Sequence, residues 1–186
     1  EAKKYYKLSA KRKNSYALCK LGDIYYFGYG VRQNYKKAMK YYIASARQGN
    51  SNASFQIGSM YLKGVGVIKD FNKSKEWFEK AYHDFNPDAL FFLGELYSSG
   101  EFLDVDYNNA IEYFSKSIEV HYETRRIYNN ADRYYRLENI YNKYYYLSYN
   151  NLGLIYLFIL NDKENANECF KKAAYDGEYP FGQNNL

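Results

Sequence analysis

The chain has 186 residues, of which 47% are hydrophobic and 21% aromatic, so it carries enough apolar side chains for a folded core and does not have the composition of a disordered segment. The net charge of +5 is modest and the two signs are interspersed, so it requires no nucleic-acid partner. Cys19 and Cys169 lie far apart, and the absence of a Cys-x-x-Cys motif or a Cys/His cluster argues against a disulfide scaffold and a structural zinc site. The longest apolar run, Leu152 to Leu160, is too short to span a bilayer.

Tyrosine is unusually common, with 26 residues. Two explanations are open: a recognition surface rich in tyrosine, as at many interfaces, or an A+T-rich coding sequence. We favour the second explanation, because the enrichment runs through expected loops, core and surface alike.

The stretch from Ala17 to Asn52 recurs in register at an offset of 36 residues. Its small and aromatic residues return at the same positions, as Ala17, Ala53 and Ala89; Gly22, Gly58 and Gly94; Tyr25, Tyr61 and Tyr97; and Tyr42, Phe78 and Phe114. A period of this length is typical of a repeat array, in which each unit buries its apolar face against a neighbour.

Each repeat predicts two helices. In the first helix Ala17, Leu21 and Ile24 follow the three- and four-residue spacing of a helical stripe, and Gly28 is typical of a helix C-terminus. The second helix is expected to begin after an N-cap residue at Asn34, Asp70 and Asp106. Small residues would let the two helices approach closely, namely Gly22, Ala38 and Ser45.

The chain starts inside a repeat, since residues 2–10 match residues 38–46, and we expect it to be a segment of a longer array. After Ser117 the next repeat begins 23 residues late, and the spacing of apolar residues predicts an extra or extended helix over about Thr124 to Tyr145, with a kink near Asn129 and Asn130. Such an insertion either contributes to binding or fills the seam between repeats. The expected organisation is a partial repeat 1–16, repeats 17–52, 53–88 and 89–118, a helical insertion 119–146, a repeat 147–179 and the start of another repeat 180–186.

The recurring pattern A-x3-LG-x2-Y-x2-G-x-GV-x3-D/N-x3-A-x3-[FYW] resembles the Sel1-like repeat, a relative of the tetratricopeptide repeat with a longer hairpin loop. The first full repeat matches it at Ala17, Leu21, Gly22, Tyr25, Gly28, Gly30, Val31 and Ala38. The third repeat loses the second loop glycine, and the fourth has a shorter loop without glycine. The resemblance implies an all-α fold, a right-handed superhelical α/α solenoid of helix–loop–helix repeats.

No catalytic site, metal site or cofactor site is predicted. His83 and His121 are the two histidines, and both are expected near the ends of second helices, where an imidazole interacts favourably with the helix dipole. Arginine and tyrosine alternate around Arg125 and Arg133, but acidic residues among them leave about one net positive charge, which favours a salt-bridged helix over a nucleic-acid site.

In tetratricopeptide-like arrays the first helices line a concave groove, so the resemblance implies a partner-binding surface in particular columns of each repeat. The columns vary from repeat to repeat, whereas the packing positions recur. The candidate partner-binding residues are Cys19, Asp23, Tyr26, Phe27, Phe55, Ser59, Leu62, Lys63, Phe91, Glu95, Ser98, Asn150, Leu154, Leu157 and Phe158, together with Ser99.

The predicted function is a non-enzymatic adaptor that binds a partner protein or an extended peptide on its concave face, without nucleic acid and without inserting into a membrane. The main alternative is a structural spacer that self-associates through the exposed ends of the array. A hydrolase, as proposed for some Sel1-like proteins, would need a deep pocket with convergent titratable groups, and RNA binding would need a continuous basic strip.

Overall fold

The computed structural model describes residues 2–12, 14–84, 86–100, 104–128 and 138–175. Within these ranges the chain is all α-helical, without strands. The nine helices are α1 (Ala2–Lys11), α2 (Ser15–Phe27), α3 (Tyr35–Ala46), α4 (Ser51–Lys63), α5 (Phe71–His83), α6 (Asp88–Ser98), α7 (Tyr107–Tyr128), α8 (Glu138–Phe158) and α9 (Lys163–Tyr175). The chain divides into two compact units between Ala89 and Leu90.

The helix ends form as the sequence predicts. The side chains of Asn34, Asp70 and Asp106 accept hydrogen bonds from backbone N–H groups three residues later, at 2.8, 2.9 and 3.0 Å, which satisfies donors that a helix leaves free at its N-terminus. Gly28 ends α2 with a φ of 77°, a conformation that glycine adopts without strain. The helix–loop–helix hairpin is therefore confirmed as the repeating unit.

A glycine in the first helix of each hairpin lies against an aromatic ring of the second helix. A Cβ atom built on Gly94 would lie 2.6 Å from Cε1 of Phe114, which is well inside van der Waals contact. The same relation joins Gly22 to Tyr42, Gly58 to Phe78 and Gly153 to Phe170. Since all four rings are buried, the absent side chain sets how closely the two helices approach.

Each unit has its own hydrophobic core. In the first unit Tyr42, Ile57 and Met60 are completely buried and belong to one cluster. In the second unit Phe114 and Ile155 belong to a cluster to which α6, α7, α8 and α9 all contribute. These cores are built from the same repeat positions, so they follow from the repeat itself.

The insertion is accommodated by long helices. α7 has 22 residues and α8 has 21, whereas α1 to α6 and α9 have 10 to 13. The helix predicted over Thr124 to Tyr145 thus coincides with the end of α7 and the start of α8, and residues 129–137, with the predicted kink, lie outside the described residues. The start of another repeat predicted at 180–186 also lies outside them.

The two histidines differ in position. His83 is the last residue of α5, as expected. His121 was expected near a helix end, and this is wrong, because α7 continues to Tyr128. Its ring is buried, and Nδ1 lies 2.6 Å from the carbonyl oxygen of Ser117, so it is a hydrogen-bonded core side chain.

Candidate partner-binding pocket

The predicted partner-binding residues fall into three classes of burial. Three of them are buried in the cores and do not present their side chains at a surface: Cys19 at 5% exposure, Ser59 at 8% and Phe91 at 6%. The exposed ones are Phe27, Lys63 and Phe158, together with Ser99. The half-buried ones are Asp23, Tyr26, Phe55, Leu62, Glu95, Ser98, Asn150, Leu154 and Leu157.

In the first unit the predicted residues of α2 interact with one another and with neighbouring side chains. The ring of Tyr26 contacts those of Phe27 and Tyr35, with centroids 4.8 and 5.3 Å apart. Asp23 binds the ammonium group of Lys20 at 2.9 Å and accepts a hydrogen bond of 3.0 Å from the hydroxyl of Tyr42. Within the first unit, neighbouring rings therefore pack against Tyr26, and the charge of Asp23 is paired with Lys20.

In the second unit the corresponding residues surround an open cavity of about 330 Å³, which we call the α6–α8 pocket. Its volume is in the range of small-ligand sites. It is lined by Glu95, Ser98, Ser99, Tyr107, Asn151, Leu154, Ile155, Phe158 and Ile159.

Some of the residues predicted for partner binding line this pocket. Glu95, Ser98, Leu154 and Phe158 were assigned to the partner-binding surface and lie together here, as does Ser99. Asn150 and Leu157, also predicted, are not among the lining residues. The remaining lining residues were missed: Tyr107, Asn151, Ile155 and Ile159. Tyr107 could have been found by its register, since it occupies the repeat position of Tyr35.

Glu95 is the ionisable carboxyl group of the pocket. It accepts a hydrogen bond from the side-chain amide of Asn151. Burial raises the pKa of Glu95, because it disfavours the charged form, and the Asn151 hydrogen bond opposes part of that increase. Among the described residues no basic side chain forms an ion pair with Glu95. The pocket therefore combines apolar walls with one carboxyl group that pairs with no cation in the described part of the chain.

The other reactive side chains are ill suited to catalysis. Burial and the nearby Asp23 carboxylate raise the pKa of Cys19 to about 12, and burial raises that of Cys169 to about 11, so both thiols stay protonated near neutral pH. In the part of the chain that the structure describes, no three His, Cys, Asp or Glu side chains are grouped to hold a metal ion. Among the described helices, none combines the length and the hydropathy that a membrane-spanning segment requires.

Comparisons with known proteins relate the fold to one repeat family. The Sel1 repeat family model matches residues 15–50, 51–83, 87–119 and 144–178. The chain is similar to the crystal structure of a protective antigen present in uropathogenic Escherichia coli strains and displaying an SLR fold, with a TM-score of 0.76 and 30% identity over 99% of this chain and 35% of that chain. It is also similar to a Sel1 repeat protein from Oxalobacter formigenes, with a TM-score of 0.69 and 23% identity over 94% of this chain and 64% of that one.

A third similar structure is an immunity protein from Pseudomonas aeruginosa, with a TM-score of 0.52 and 19% identity over 92% of this chain and 56% of that one. The chain thus spans about a third of the Escherichia coli antigen and less than two thirds of the other two proteins. None of the curated proteins matches it.

Proposed function

The chain belongs to the Sel1 repeat family, and on this basis we propose that it is a non-catalytic scaffold that binds a partner protein or an extended peptide through the first helices of its hairpins. Sel1 repeats are generally protein-interaction scaffolds rather than enzymes. In the second unit the binding surface is the α6–α8 pocket and its rim. In the first unit it is the surface of α2 and α4 that carries Tyr26, Phe27, Leu62 and Lys63.

The observation that carries this proposal is an apolar patch at the end of α8. Phe158 is 73% exposed, and Ile159 and Leu160, which follow it, are 46% and 51% exposed. Phe158 and Ile159 also line the α6–α8 pocket, so the patch continues into a cavity. Contiguous exposed apolar side chains beside a concave site are typical of a docking surface, where aromatic anchors supply much of the binding energy.

The test is co-purification of the full-length protein with its partner, followed by binding measurements with both components purified. Phe158→Ser should weaken binding at least about tenfold, because it removes an exposed anchor without disturbing the core. Ile68→Ser is the matched control, since Ile68 is an apolar side chain 90% exposed in the first unit. Equal binding by the wild type and both variants would remove the α8 patch from the interface.

Self-association is the second candidate, and the same α8 patch supports it. A structural segment would bury Phe158, Ile159 and Leu160 against a second copy of the chain. Light scattering over a dilution series distinguishes the two functions, because self-association gives a mass that falls on dilution without any added partner. Phe158→Ser would then yield the monomer at all concentrations.

A further inference from the structure

We propose that the α6–α8 pocket receives the side chain of a lysine or an arginine from the partner, with its charged nitrogen on Glu95 and its methylene stem against the apolar wall. This inference rests on the proposed scaffold function and specifies the chemistry of the segment that docks there. It is carried by a comparison of the third full repeat with the first, in which the same positions hold different side chains.

The first and third repeats differ in the residues that surround an acidic side chain at the same position. Glu95 occupies the repeat position of Asp23, at an offset of 72 residues. Inside its own hairpin Asp23 forms an ion pair with Lys20 and accepts a hydrogen bond from the hydroxyl of Tyr42. At the positions of these two partners the third repeat has Phe92 and Phe114, which can supply neither a cation nor a hydroxyl group. The third repeat thus has a carboxyl group at the position of Asp23 but has no counterpart of the Lys20 ammonium group or of the Tyr42 hydroxyl.

The two repeats also differ in the size of the side chains beside this acidic residue. In the first repeat the ring of Tyr26 lies against Tyr35, with centroids 5.3 Å apart. In the third repeat Tyr107 corresponds to Tyr35, and the position of Tyr26 is held by Ser98. Both Ser98 and Tyr107 line the cavity, so the loss of one large aromatic ring leaves a volume that the pocket occupies.

A second ring is lost in the same way, since Phe27 corresponds to Ser99, which also lines the pocket. In the first repeat Phe27 contacts Tyr26 and stacks on Tyr29. Ser98 and Ser99 both line the pocket beside Glu95. The third repeat therefore has no lysine at the position of Lys20 to pair with this carboxyl group, and it has room for a basic side chain from a partner.

The pocket has an apolar wall as well as a carboxyl group. Leu154, Ile155 and Phe158 form an apolar wall from α8 on the same pocket as Glu95. Lysine and arginine bury their methylene stems along apolar surface while their charged ends remain at a polar group. The rings of Tyr107 and Phe158 in the lining can also attract a cation at their faces.

A neutral apolar side chain suits this pocket less well. It would fill the cavity and remove water from Glu95 without replacing the lost hydrogen bonds, which is unfavourable for a carboxylate. A basic side chain can place its charge on the carboxylate and pack its methylene groups against the apolar wall. Charge complementarity therefore selects a cationic occupant over an aliphatic one of the same length.

The experiment uses the full chain and three capped tripeptides, leucyl-lysyl-leucine, leucyl-arginyl-leucine and leucyl-norleucyl-leucine, the last of which keeps the apolar stem without the charge. Binding is followed at low ionic strength by the amide NMR shifts of Glu95, Ser98 and Asn151. We expect either or both basic peptides to bind about tenfold more tightly than the norleucine peptide. Equal affinities, or no binding by any peptide, would overturn the inference.

Three variants assign that preference to the pocket. Glu95→Gln should abolish the preference for the basic peptides, whereas Glu112→Gln should retain it, because Glu112 is an exposed carboxylate on α7 paired with Lys116. Ser98→Tyr should abolish binding of all three peptides, since it restores the ring found in the first repeat. A preference that persists in Glu95→Gln would contradict the proposed contact.

These outcomes are separable from failure of the scaffold function. If Phe158→Ser weakens binding of the purified partner and Glu95→Gln does not, the surface binds a partner but the basic side chain is refuted. If neither variant changes partner binding, the α8 surface is not the interface and both proposals for this surface fail.

Discussion

The hydroxyl of Tyr42 donates a 3.0 Å hydrogen bond to Oδ1 of Asp23, and phenylalanine takes the place of Tyr42 in the other three hairpins, as Phe78, Phe114 and Phe170. All four rings are buried against a glycine, so the hydroxyl group is a polar addition to an otherwise constant packing contact. The pair joins the two helices of one hairpin, α2 and α3.

Tyr42→Phe should lower the free energy of unfolding of the first unit by about 1 kcal/mol, because it removes this hydrogen bond while the ring is kept. The measurement is urea denaturation followed by circular dichroism. Asp23→Asn is the comparison variant, since its amide oxygen can still accept from Tyr42 while the ion pair with Lys20 is lost, so the two variants separate the two contacts. An unchanged midpoint for Tyr42→Phe would show that water replaces the lost hydroxyl as the donor to Asp23 at no cost.

Phe114→Tyr should lower the pKa of Glu95. Phe114 holds the position of Tyr42 and Glu95 that of Asp23, so the new hydroxyl can donate to the carboxylate and favour its charged form. The pKa is measured from the side-chain carbon shift of Glu95 during an NMR titration.

The matched control for this exchange is Phe170→Tyr. There Leu154 stands at the position of Asp23, so the added hydroxyl would be buried without that acceptor and should cost about 1–3 kcal/mol of stability. If Phe114→Tyr destabilises the protein as much as Phe170→Tyr and leaves the pKa of Glu95 unchanged, the two hairpins do not share the proposed geometry.

Gly94→Ala should destabilise the second unit by about 1–3 kcal/mol, although alanine is the better helix former. The added methyl group would lie 2.6 Å from Cε1 of Phe114. Thermal unfolding of Gly94→Ala, Phe114→Leu and the double variant measures the coupling between the two sites. We expect the double variant to lose less stability than the sum of the single ones, and additive losses would place the strain elsewhere.

Cys19 and Cys169 should not react with Ellman's reagent in the folded protein at pH 8, because burial raises their pKa values to about 12 and about 11. Both should react in guanidinium chloride. Ile68→Cys provides an exposed thiol as a positive control. Rapid labelling of a native cysteine would mean that its hairpin opens readily.

The sequence predicted the hairpins well because their determinants are local. An N-cap at Asn34, a left-handed glycine at Gly28 and a small residue at Gly22 each act within a few residues or within one repeat. Such signals recur with the period, so agreement among repeats strengthens each of them. The Sel1 repeat family follows from the same positions.

The lining of the α6–α8 pocket could be predicted only in part, because burial depends on contacts across hairpins. Cys19 and Phe91 occupy predicted surface columns yet lie in the cores, where neighbouring helices cover them. Asn151 was missed because its role depends on α8 meeting Glu95 of α6, 56 residues away in sequence. The length of the insertion likewise did not determine how it would be divided between α7 and α8.

The contact between Gly94 and Phe114, like its three counterparts, lies entirely within one repeat. Duplication of the gene segment that encodes a hairpin therefore copies both members of the contact together, and each new copy inherits the helix spacing intact. The adjacent column, which holds Asp23, Ser59, Glu95 and Leu154, differs in residue type from repeat to repeat while the contact between glycine and ring is kept. A duplicated hairpin can thus acquire a new binding preference by substitution in this column without first losing its architecture.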